Sequence, residues 1–581
     1  MAEWLLDNEY LTHAALRHVR ETLGRGFHRD LPKLDRGGAE EVGLPRVLRV
    51  AVEILGDARS RLDEAHLLRF LDTYQEVRPL TIGETWALPA ALQLATLEAL
   101  ERATAPLVRA DESPPAHAPL TVVSNCIGNL RLIAGHDWKT FFERVSVVEA
   151  ILRRDPADAY GWMEFDSRDR YRRAVEEIGR GGPVDEPAVA RAALSSATRA
   201  VAERDAPPRD HVGYWLLDEG RPELERSLGA RPARRTRRER WVRRHARPLY
   251  FGSIILLAAA ALWALSVWVG ASGATALEAA LLLAAAAVPA LGVSTALTNW
   301  VVSHVVPPYV LPKLDLGEGV PERFATMIAI PALLGDQDDV EQLVSKLEIL
   351  QQGNSDGSLV FALLTDFTDA PRERMPGDEE ILAAALRGVR RLNEQHRADG
   401  PAPFYLLHRD RRWNAAEECW MGWERKRGKL HDLDRMLLEH DDSGFAVREG
   451  VLDRLSTIRF VVTLDVDTGL PPGAAARLVG TLAHPLNRPC VSDDGRVTRG
   501  YTVLQPRIEI VLRDGASLFA RLGQGATGLD LYTHAVSDVY QDLFGEGIYA
   551  GKGIYDVEVF ERALAGRVPE NALLSHDLFE G

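Results

Sequence analysis

Short apolar runs alternate with longer amphipathic segments in the second half of this chain. The runs are ATMIAIPA from Ala325, SLVFALLTD from Ser358, FYLLHR from Phe404 and RFVVTLDVD from Arg459. The segments between them, such as VEQLVSKLEILQQ, repeat apolar residues at the spacing of an amphipathic helix. Strands that alternate with helices in this way predict an α/β domain, with a parallel sheet covered by helices on both faces.

The first 230 residues are predicted to be mainly helical. Apolar residues recur at helical spacing in LDEAHLLRFLDTYQEV and in KTFFERVSVVEAILRR. These are Leu62, Leu67, Leu68 and Leu71 in the first stretch, and Phe142, Val145, Val148 and Leu152 in the second. No strict repeat recurs, so the pattern does not predict a repeat solenoid.

Two uncharged segments lie between these regions, at Leu249–Val269 and about Ala279–Thr298. About 20 apolar residues in a helix span the core of a bilayer. Tryptophans, which favour membrane interfaces, stand near the segment ends at Trp263, Trp268 and Trp300. Buried globular helices are the alternative, but the pattern favours a membrane hairpin.

An arginine-rich segment precedes the first of these two spans. RPARRTRRERWVRRHAR, from Arg231 to Arg247, holds nine arginines and one glutamate. Positive charge beside a span favours the cytoplasmic side, and a hairpin returns the chain to the side it left. We therefore expect residues 1–248 and 307–581 to be cytoplasmic, with the arginines against anionic lipid headgroups of the bilayer.

The overall composition excludes some classes of function. A formal net charge of −15 argues against a nucleic-acid partner, because binding to phosphates requires a basic surface. The three cysteines, Cys126, Cys419 and Cys490, form no CxxC pair. Their spacing fits a reducing compartment and predicts no zinc site.

Aspartates follow two of the predicted strands. Asp366 and Asp369 follow the second strand in LLTDFTDA, and Asp465 and Asp467 follow the fourth in LDVD. Ligands of open α/β sheets bind beyond the carboxyl ends of the strands, so these acids are expected near a ligand. An isolated D-x-D also fits a turn, since Asp bonds readily to nearby backbone amides.

Transfer from a nucleotide-diphosphate donor requires acids of this kind. Mg²⁺ or Mn²⁺ can neutralise the departing diphosphate, and hard cations prefer carboxylate oxygen. A separate carboxylate must take the proton of the incoming hydroxyl group. We therefore assign the metal to Asp465 and Asp467, the nucleotide to Asp366, and the general base to Asp577 in LLSHDLFEG.

A phosphate-binding P-loop is the competing enzyme class, because GEGIYAGKGIYD contains a Gly-Lys pair at Gly551 and Lys552. The P-loop pattern requires a glycine at position 546, where this chain has Glu546. It also requires Ser or Thr after the lysine, where this chain has Gly553. A nucleotide-hydrolysing P-loop is therefore rejected.

Long strings of this chain resemble one family of polysaccharide synthases. They include AEWLLDNEY, RLDEAHLLRFLDTYQEVRPLTIGETWALP, SNCIGNLRLIAGHDWKTFFERVSVVEAILRRDP, NWVVSHVVPPYVLPKLD, FALLTDFTDAP, WMGWERKRGKLHDLDRMLL, TLDVDTGLP and LAHPLNRP. On these strings the chain resembles the family-2-like glycosyltransferase fold of processive polysaccharide synthases. It resembles more closely the glycosyltransferase region of cyclic β-1,2-glucan synthases, over essentially the whole chain.

The resemblance implies a GT-A-like α/β domain in a multi-pass protein of the bacterial inner membrane. It implies an inverting transfer of glucose from UDP-glucose to a growing β-1,2-glucan chain. On this view Asp366 helps hold the uridine, Asp465 and Asp467 hold the metal and the diphosphate, and Asp577 takes the acceptor proton. Candidate donor-phosphate contacts lie in ERKRGKL at Lys426, Arg427 and Lys429, where a solvated helix start is an equal alternative.

We divide the chain into a helical region at 1–230, an arginine-rich segment at 231–248, two transmembrane helices at 249–306 and a transferase domain at 307–581. Processive synthases carry Q-x-x-R-W after the base, and this chain reaches Gly581 without that motif. The family's proteins are much longer, so we expect the N-terminal part of such an enzyme. The alternatives are a fragment that binds UDP-sugar without turnover, and a synthase of another polysaccharide.

Overall fold

A helical unit and an α/β unit divide this chain between them. In the computed structural model, the first unit comprises Met1–Gly161 and Arg168–Pro232, and the second comprises Trp162–Ser167 and Ala233–Gly581. The structure describes residues 6–24, 31–34, 43–56, 61–109, 117–396, 401–506, 517–518, 536–547, 549 and 551–569. The predicted general base, Asp577, lies outside the described residues.

The predicted helical character of the first 230 residues is confirmed where the structure describes them. The helices are α1 Glu9–Thr22, α2 Arg46–Leu55, α3 Glu64–Val77, α4 Ile82–Arg109, α5 His117–Gly135, α6 Trp138–Val145, α7 Val147–Leu152, α8 Phe165–Gly181, α9 Glu186–Glu203, α10 Val212–Leu217 and α11 Arg221–Ser227. Leu67, Leu68 and Leu71 of α3 are buried in one core with residues of α2 and α4. Their helical spacing therefore marks a real core-facing stripe.

Two long apolar helices follow the arginine-rich helix α12, Arg234–Arg244. They are α13, Ala246–Ala271, and α14, Ala276–Val305, and both are long and apolar enough to cross a membrane. Only 11% and 6% of their most apolar stretches are buried, so their side chains are not those of a soluble core. This arrangement fits the predicted membrane hairpin.

In the described part of the second unit, a seven-stranded sheet has the order β10-β11-β7-β1-β2-β3-β6. The strands are β1 Thr326–Leu334, β2 Leu359–Phe367, β3 Phe404–Arg409, β6 Val447–Glu449, β7 Phe460–Thr463, β10 Val503–Leu504 and β11 Gly553–Asp556. Two small sheets pair β4 Arg412–Asn414 with β5 Cys419–Met421, and β8 Cys490–Val491 with β9 Val497–Arg499. The α/β prediction is confirmed.

The predicted parallel sheet forms the centre of a larger, mixed sheet. The predicted strands β7, β1, β2 and β3 pair in parallel at the centre, but β6 and β11 pair antiparallel with β3 and β7. These outer strands are only three or four residues long, too short to show a period in the sequence. The strand β11 lies in the segment that resembled a P-loop.

Helices cover this sheet and tie it to the apolar hairpin. They are α15 Gln337–Gly353, α16 Asp378–Gln395, α17 Arg425–Glu439, α18 Ala474–Leu482, α19 Val536–Phe544 and α20 Val557–Leu564. Val539 and Leu543 of α19 are buried against Tyr250 and Ile254 of α13. The backbone N–H of Tyr309 donates to Oδ1 of Asp542 at 2.6 Å, which fixes the chain that leaves α14.

Candidate functional site

Asp366 lies near the end of β2, in register with Leu333 of β1 and Arg409 of β3. Arg409 donates from Nε to Oδ1 at 2.8 Å and from Nη2 to Oδ2 at 2.9 Å. The Nζ of Lys429 lies 3.1 Å from the same Oδ2, and at most 4% of each of the three side chains is exposed. Asp366 is therefore a buried acid whose two oxygens both contact cations.

The two cations beside Asp366 have further acceptors. Arg409 donates from Nη1 to Oδ2 of Asp432 at 2.8 Å, and Lys429 donates to the carbonyl of Ala332 at 2.6 Å. Burial lowers the pKa of Lys429, although the nearby Asp366 carboxylate acts to raise it. These pairings satisfy charges that would be costly to bury alone. They also hold Lys429 at the carboxyl ends of β1 and β2.

Asp465 follows the end of β7 and contacts lysines from separate parts of the fold. Lys426, in the first turn of α17, donates to Oδ1 at 2.7 Å. Lys552, just before β11, lies 3.2 Å from Oδ2. Burial would raise the pKa of the Asp465 carboxyl, but the hydrogen bonds and charges of Lys426 and Lys552 outweigh this and lower it. Asp465 is therefore held as a carboxylate.

Asp467 lies on the exposed turn after Asp465, and its Oδ1 accepts a bond from the hydroxyl of Thr468 at 3.2 Å. Lys346 of α15 supports this turn, donating to the carbonyls of Asp465 at 2.6 Å and Val466 at 2.5 Å. Burial lowers the pKa of Lys346, while Asp467 and Asp465 act to raise it. The turn therefore carries two carboxylates, and Lys346 holds its backbone in place.

The pair Asp465 and Asp467 suits a hard divalent cation in donor type, since both supply carboxylate oxygen. Among the residues that the structure describes, no group of three or more His, Cys, Asp and Glu side chains could hold a metal. A diphosphate and water would have to complete the coordination, as is usual for Mg²⁺. The residues therefore fit a metal shared with a donor molecule, provided that Asp465 releases its lysines.

A cleft of about 440 Å³ opens beyond the carboxyl ends of β1 and β2. Its walls include Asp366, Lys426 and Lys429, together with Val466 from between the acids of the LDVD turn. Arg425 and Asp369, which are paired at 3.0 Å, also line it, as does Gly422. Three of the predicted donor-binding residues therefore share one cleft, next to the segment that carries Asp465 and Asp467.

Other predicted residues lie elsewhere. Arg427 pairs with Glu424 and lines a different cavity, beside Trp423 and Phe560, although it adjoins Lys426 in sequence. Lys426 and Lys429 lie three positions apart on α17, so they face the same side, whereas Arg427 is rotated away. Asp577 cannot be assigned to the cleft, because it lies outside the described residues.

Lys346 and Lys552 also contact the LDVD turn, although the local sequence pattern did not predict these contacts. Lys552 was considered only as part of the rejected P-loop. A compositional signal was present, because lysine accounts for only seven of the 69 Lys and Arg residues. Because lysine is rare in this chain, each lysine position is a stronger indication of a specific role than an arginine position is.

Comparison with known proteins gives one relative that matches over the whole chain. No protein-family model matches. The cyclic β-(1,2)-glucan synthase NdvB of Rhizobium meliloti (strain 1021) is 32% identical over 663 aligned positions, which take in 100% of this chain. The chain spans 23% of that relative's length. Over its whole length, the chain is similar to this cyclic β-(1,2)-glucan synthase.

Proposed function

We propose that this chain is a membrane glucosyltransferase that transfers glucose from UDP-glucose to a growing β-1,2-glucan. The observation that carries the proposal is the cleft in which Asp366, Lys426 and Lys429 meet beside the Asp465–Asp467 turn. The name of the relative supplies the glucan and its linkage. The position of the cleft, at the carboxyl ends of parallel strands, is typical of ligand sites in open α/β sheets.

The charges in the cleft suggest how UDP-glucose would lie in it. Lys426 and Lys429 would receive the diphosphate, because ammonium groups at one wall match its negative charge. Asp366 would lie toward the uridine side, with Arg409 holding its carboxylate in place. We propose a GT-A-like fold for the domain, since a cleft at the carboxyl ends of parallel strands lies beside an acidic turn after a central strand.

The proposed cofactor is Mg²⁺ or Mn²⁺, held by Asp465 and Asp467. When bound, the metal would supply positive charge to the departing diphosphate. Asp467 is the more accessible ligand because its carboxylate is exposed, whereas Asp465 first has to part from Lys426 and Lys552. Mn²⁺ binding, followed by electron paramagnetic resonance, should weaken at least tenfold in Asp467→Ala, since one of two carboxylate ligands is lost.

The proposed general base is Asp577, which would take the proton of the acceptor hydroxyl as that oxygen attacks the sugar. A single displacement on an α-linked donor gives a β-linked product, so we propose inversion. Proton nuclear magnetic resonance of the first product should show a β-anomeric signal. An α-linked product would contradict the single displacement.

We propose that α13 and α14 cross the bacterial inner membrane and that both flanking regions are cytoplasmic. The arginines of α12 other than Arg240 are exposed, and they stand directly before α13, where anionic headgroups would attract them. A labelling tag placed either before α1 or in the exposed turn at Ser272 shows which side of the membrane each position faces. Labelling of only the Ser272 tag from the periplasm is expected, and labelling of the N-terminal tag would reverse the orientation.

Incubation of membranes with labelled UDP-glucose tests the activity. Incorporation into β-1,2-linked glucan that is lost in Asp465→Ala, but kept in Asp453→Ala, supports the proposal. Asp453 is the matched control, because it is an exposed aspartate outside the cleft. Binding of UDP without incorporation would favour the inert-fragment alternative, and label from a different sugar nucleotide would favour another polysaccharide.

A further inference from the structure

Three lysine ammonium groups surround the backbone and side chain of one acid, Asp465. Lys346 bonds its carbonyl, Lys426 bonds Oδ1, and Lys552 lies beside Oδ2. The three lysines come from α15, from the start of α17 and from the residue before β11, so the tertiary fold gathers them.

The residue type at these positions is informative. Of the seven lysines in the chain, four lie at this end of the sheet, namely Lys346, Lys426, Lys429 and Lys552, whereas arginine supplies 62 of the 69 Lys and Arg residues. An arginine fork binds a carboxylate in a fixed bidentate geometry, whereas a lysine ammonium is a compact charge on a flexible stem. Lysine therefore suits an ion pair that has to open and move to another oxygen.

The loop before β11 positions Lys552 and also contacts Lys426. The carbonyl of Gly551 accepts a bond from Lys426 Nζ at 2.8 Å and another from the hydroxyl of Thr463 at 3.1 Å. The same Thr463 hydroxyl lies 2.9 Å from the hydroxyl of Tyr549. The bonds to Gly551 fix the backbone before Lys552, and the pairing of Gly553 with Thr463 fixes it afterwards. The Lys552 side chain remains 25% exposed. Lys552 is thus anchored by its backbone and can still move its ammonium group.

Both carboxylate oxygens of Asp465 contact ammonium groups, so a divalent cation that binds this acid competes with those ion pairs. A donor diphosphate offers the displaced ammonium groups new oxygens at the neighbouring cleft. We propose that Lys426 and Lys552 are positioning residues that form an exchangeable counter-ion for Asp465, passing to the diphosphate when a divalent cation takes the acid. This inference rests on the proposed donor site.

Binding measurements on the 581-residue chain in nanodiscs test the exchange, with Lys552→Met as the main variant. Mn²⁺ alone should bind about fivefold more tightly, because a competing ion pair is removed. UDP in the presence of saturating Mn²⁺ should bind about fivefold more weakly, because the displaced ammonium partner of the diphosphate is lost. Lys552→Arg keeps the charge and should stay near wild type in Mn²⁺ affinity, and Lys552→Gln repeats the test if the Met variant does not fold.

Lys313→Met is the matched control, because Lys313 lies 3.4 Å from Glu164 in a similarly exposed pair and is absent from the cleft. Both affinities should equal those of the wild type in this control. Opposite shifts in Lys552→Met support the exchange. If the wild type binds UDP but the Mn²⁺ and UDP affinities of Lys552→Met do not change, or change in the same direction, the exchange is contradicted. The proposed donor site is not contradicted by that result. A wild type that binds no UDP, with or without Mn²⁺, overturns both.

Discussion

Arg409 on β3 holds both carboxylate oxygens of Asp366 on the adjacent strand β2, through bonds of 2.8 and 2.9 Å. The two residues are partners in the parallel register, so the guanidinium fork spans neighbouring strands. Asp366 lines the cleft, as does Lys429, whose Nζ lies 3.1 Å from the Asp366 Oδ2. Asp366 is therefore both the predicted nucleotide contact and a fixed charge at the base of the cleft.

Replacing Asp366 with Asn should destabilise the α/β unit strongly. The change leaves Arg409 and Lys429 buried with one fewer negative partner, a situation that costs about 3 kcal/mol or more. The midpoint of thermal unfolding, measured by circular dichroism on the protein in detergent, should fall clearly. Affinity for UDP should fall as well.

Asp369→Asn supplies the comparison for this variant. Asp369 pairs with Arg425 at 3.0 Å, but 41% and 52% of the two side chains are exposed. Solvent-exposed pairs contribute at most about 1 kcal/mol, so the unfolding midpoint should change little. Equal destabilisation by Asp366→Asn and Asp369→Asn would contradict the conclusion that the ion pairs of the buried Asp366 stabilise this unit more than those of the exposed Asp369.

Replacing Gly422 with Ala should disturb the cleft directly. A methyl group at this position would overlap the carboxylate of Asp366 and come within 2.9 Å of its Cβ. Since Asp366 is held by Arg409, relief of the clash requires backbone movement, with a cost of about 1–3 kcal/mol. Equilibrium dialysis should show weaker UDP binding.

Gly357→Ala is the control for the Gly422 variant, because a methyl group there meets no atom within 4 Å. Neither stability nor UDP affinity should change appreciably in the control. If Gly422→Ala binds UDP as the wild type does, the space beside Asp366 is not part of the donor site.

His408 should make the α/β unit sensitive to mild acid. It is buried on β3, its Nδ1 lies 3.0 Å from the hydroxyl of Thr365, and burial lowers its pKa from 6.5 to about 4. Below pH 6.5 the unfolded chain takes up the proton first, so stability falls as pH falls from 6.5 to about 4. The total loss should be about 3 kcal/mol, seen as faster amide exchange in β2 and β3. His408→Asn should remove this pH-dependent component, and an unchanged pH slope would contradict it.

Glu186 should have the opposite effect on the helical unit. Burial raises its pKa from 4.5 to about 7, and its Oε2 accepts a bond of 2.7 Å from the N–H of Ile82. The folded protein binds the proton more tightly, so this contribution is present below pH 4.5 and is lost as pH rises through about 7. Glu186→Gln should therefore be more stable than wild type at pH 8, by roughly 2 kcal/mol, as measured by thermal unfolding. The advantage should shrink toward pH 5, and a constant difference would argue against the assignment.

Local pattern was sufficient to predict much of this fold. Leu67, Leu68 and Leu71 are buried as their spacing indicated, and β1, β2, β3 and β7 lie within one or two residues of the predicted runs, except that β7 ends earlier at Thr463. Long periodic segments bury one face whatever their neighbours are, so their pattern can be read directly. The apolar hairpin was visible for the same reason.

The residues of the cleft could be predicted only in part from the sequence. Asp366, Asp465 and Asp467 were found because acids after apolar strands are unusual, and Lys426 and Lys429 were found through the resemblance of ERKRGKL. The separation of Arg427 from these lysines depends on the phase of α17, which the helix start at Arg425 sets. The roles of all these residues stay predictions.

The sequence by itself determined the helical region, the apolar hairpin, the central strands and the acids at their ends, because each depends on a local period or a run of residues. Only the tertiary structure decided that β11 enters antiparallel beside β7 and brings Lys552 to Asp465. It likewise decided that Arg409 and Lys429 neutralise Asp366. Such ion pairs join residues far apart in the chain, so their geometry follows from strand order and helix packing and leaves no mark on the local pattern.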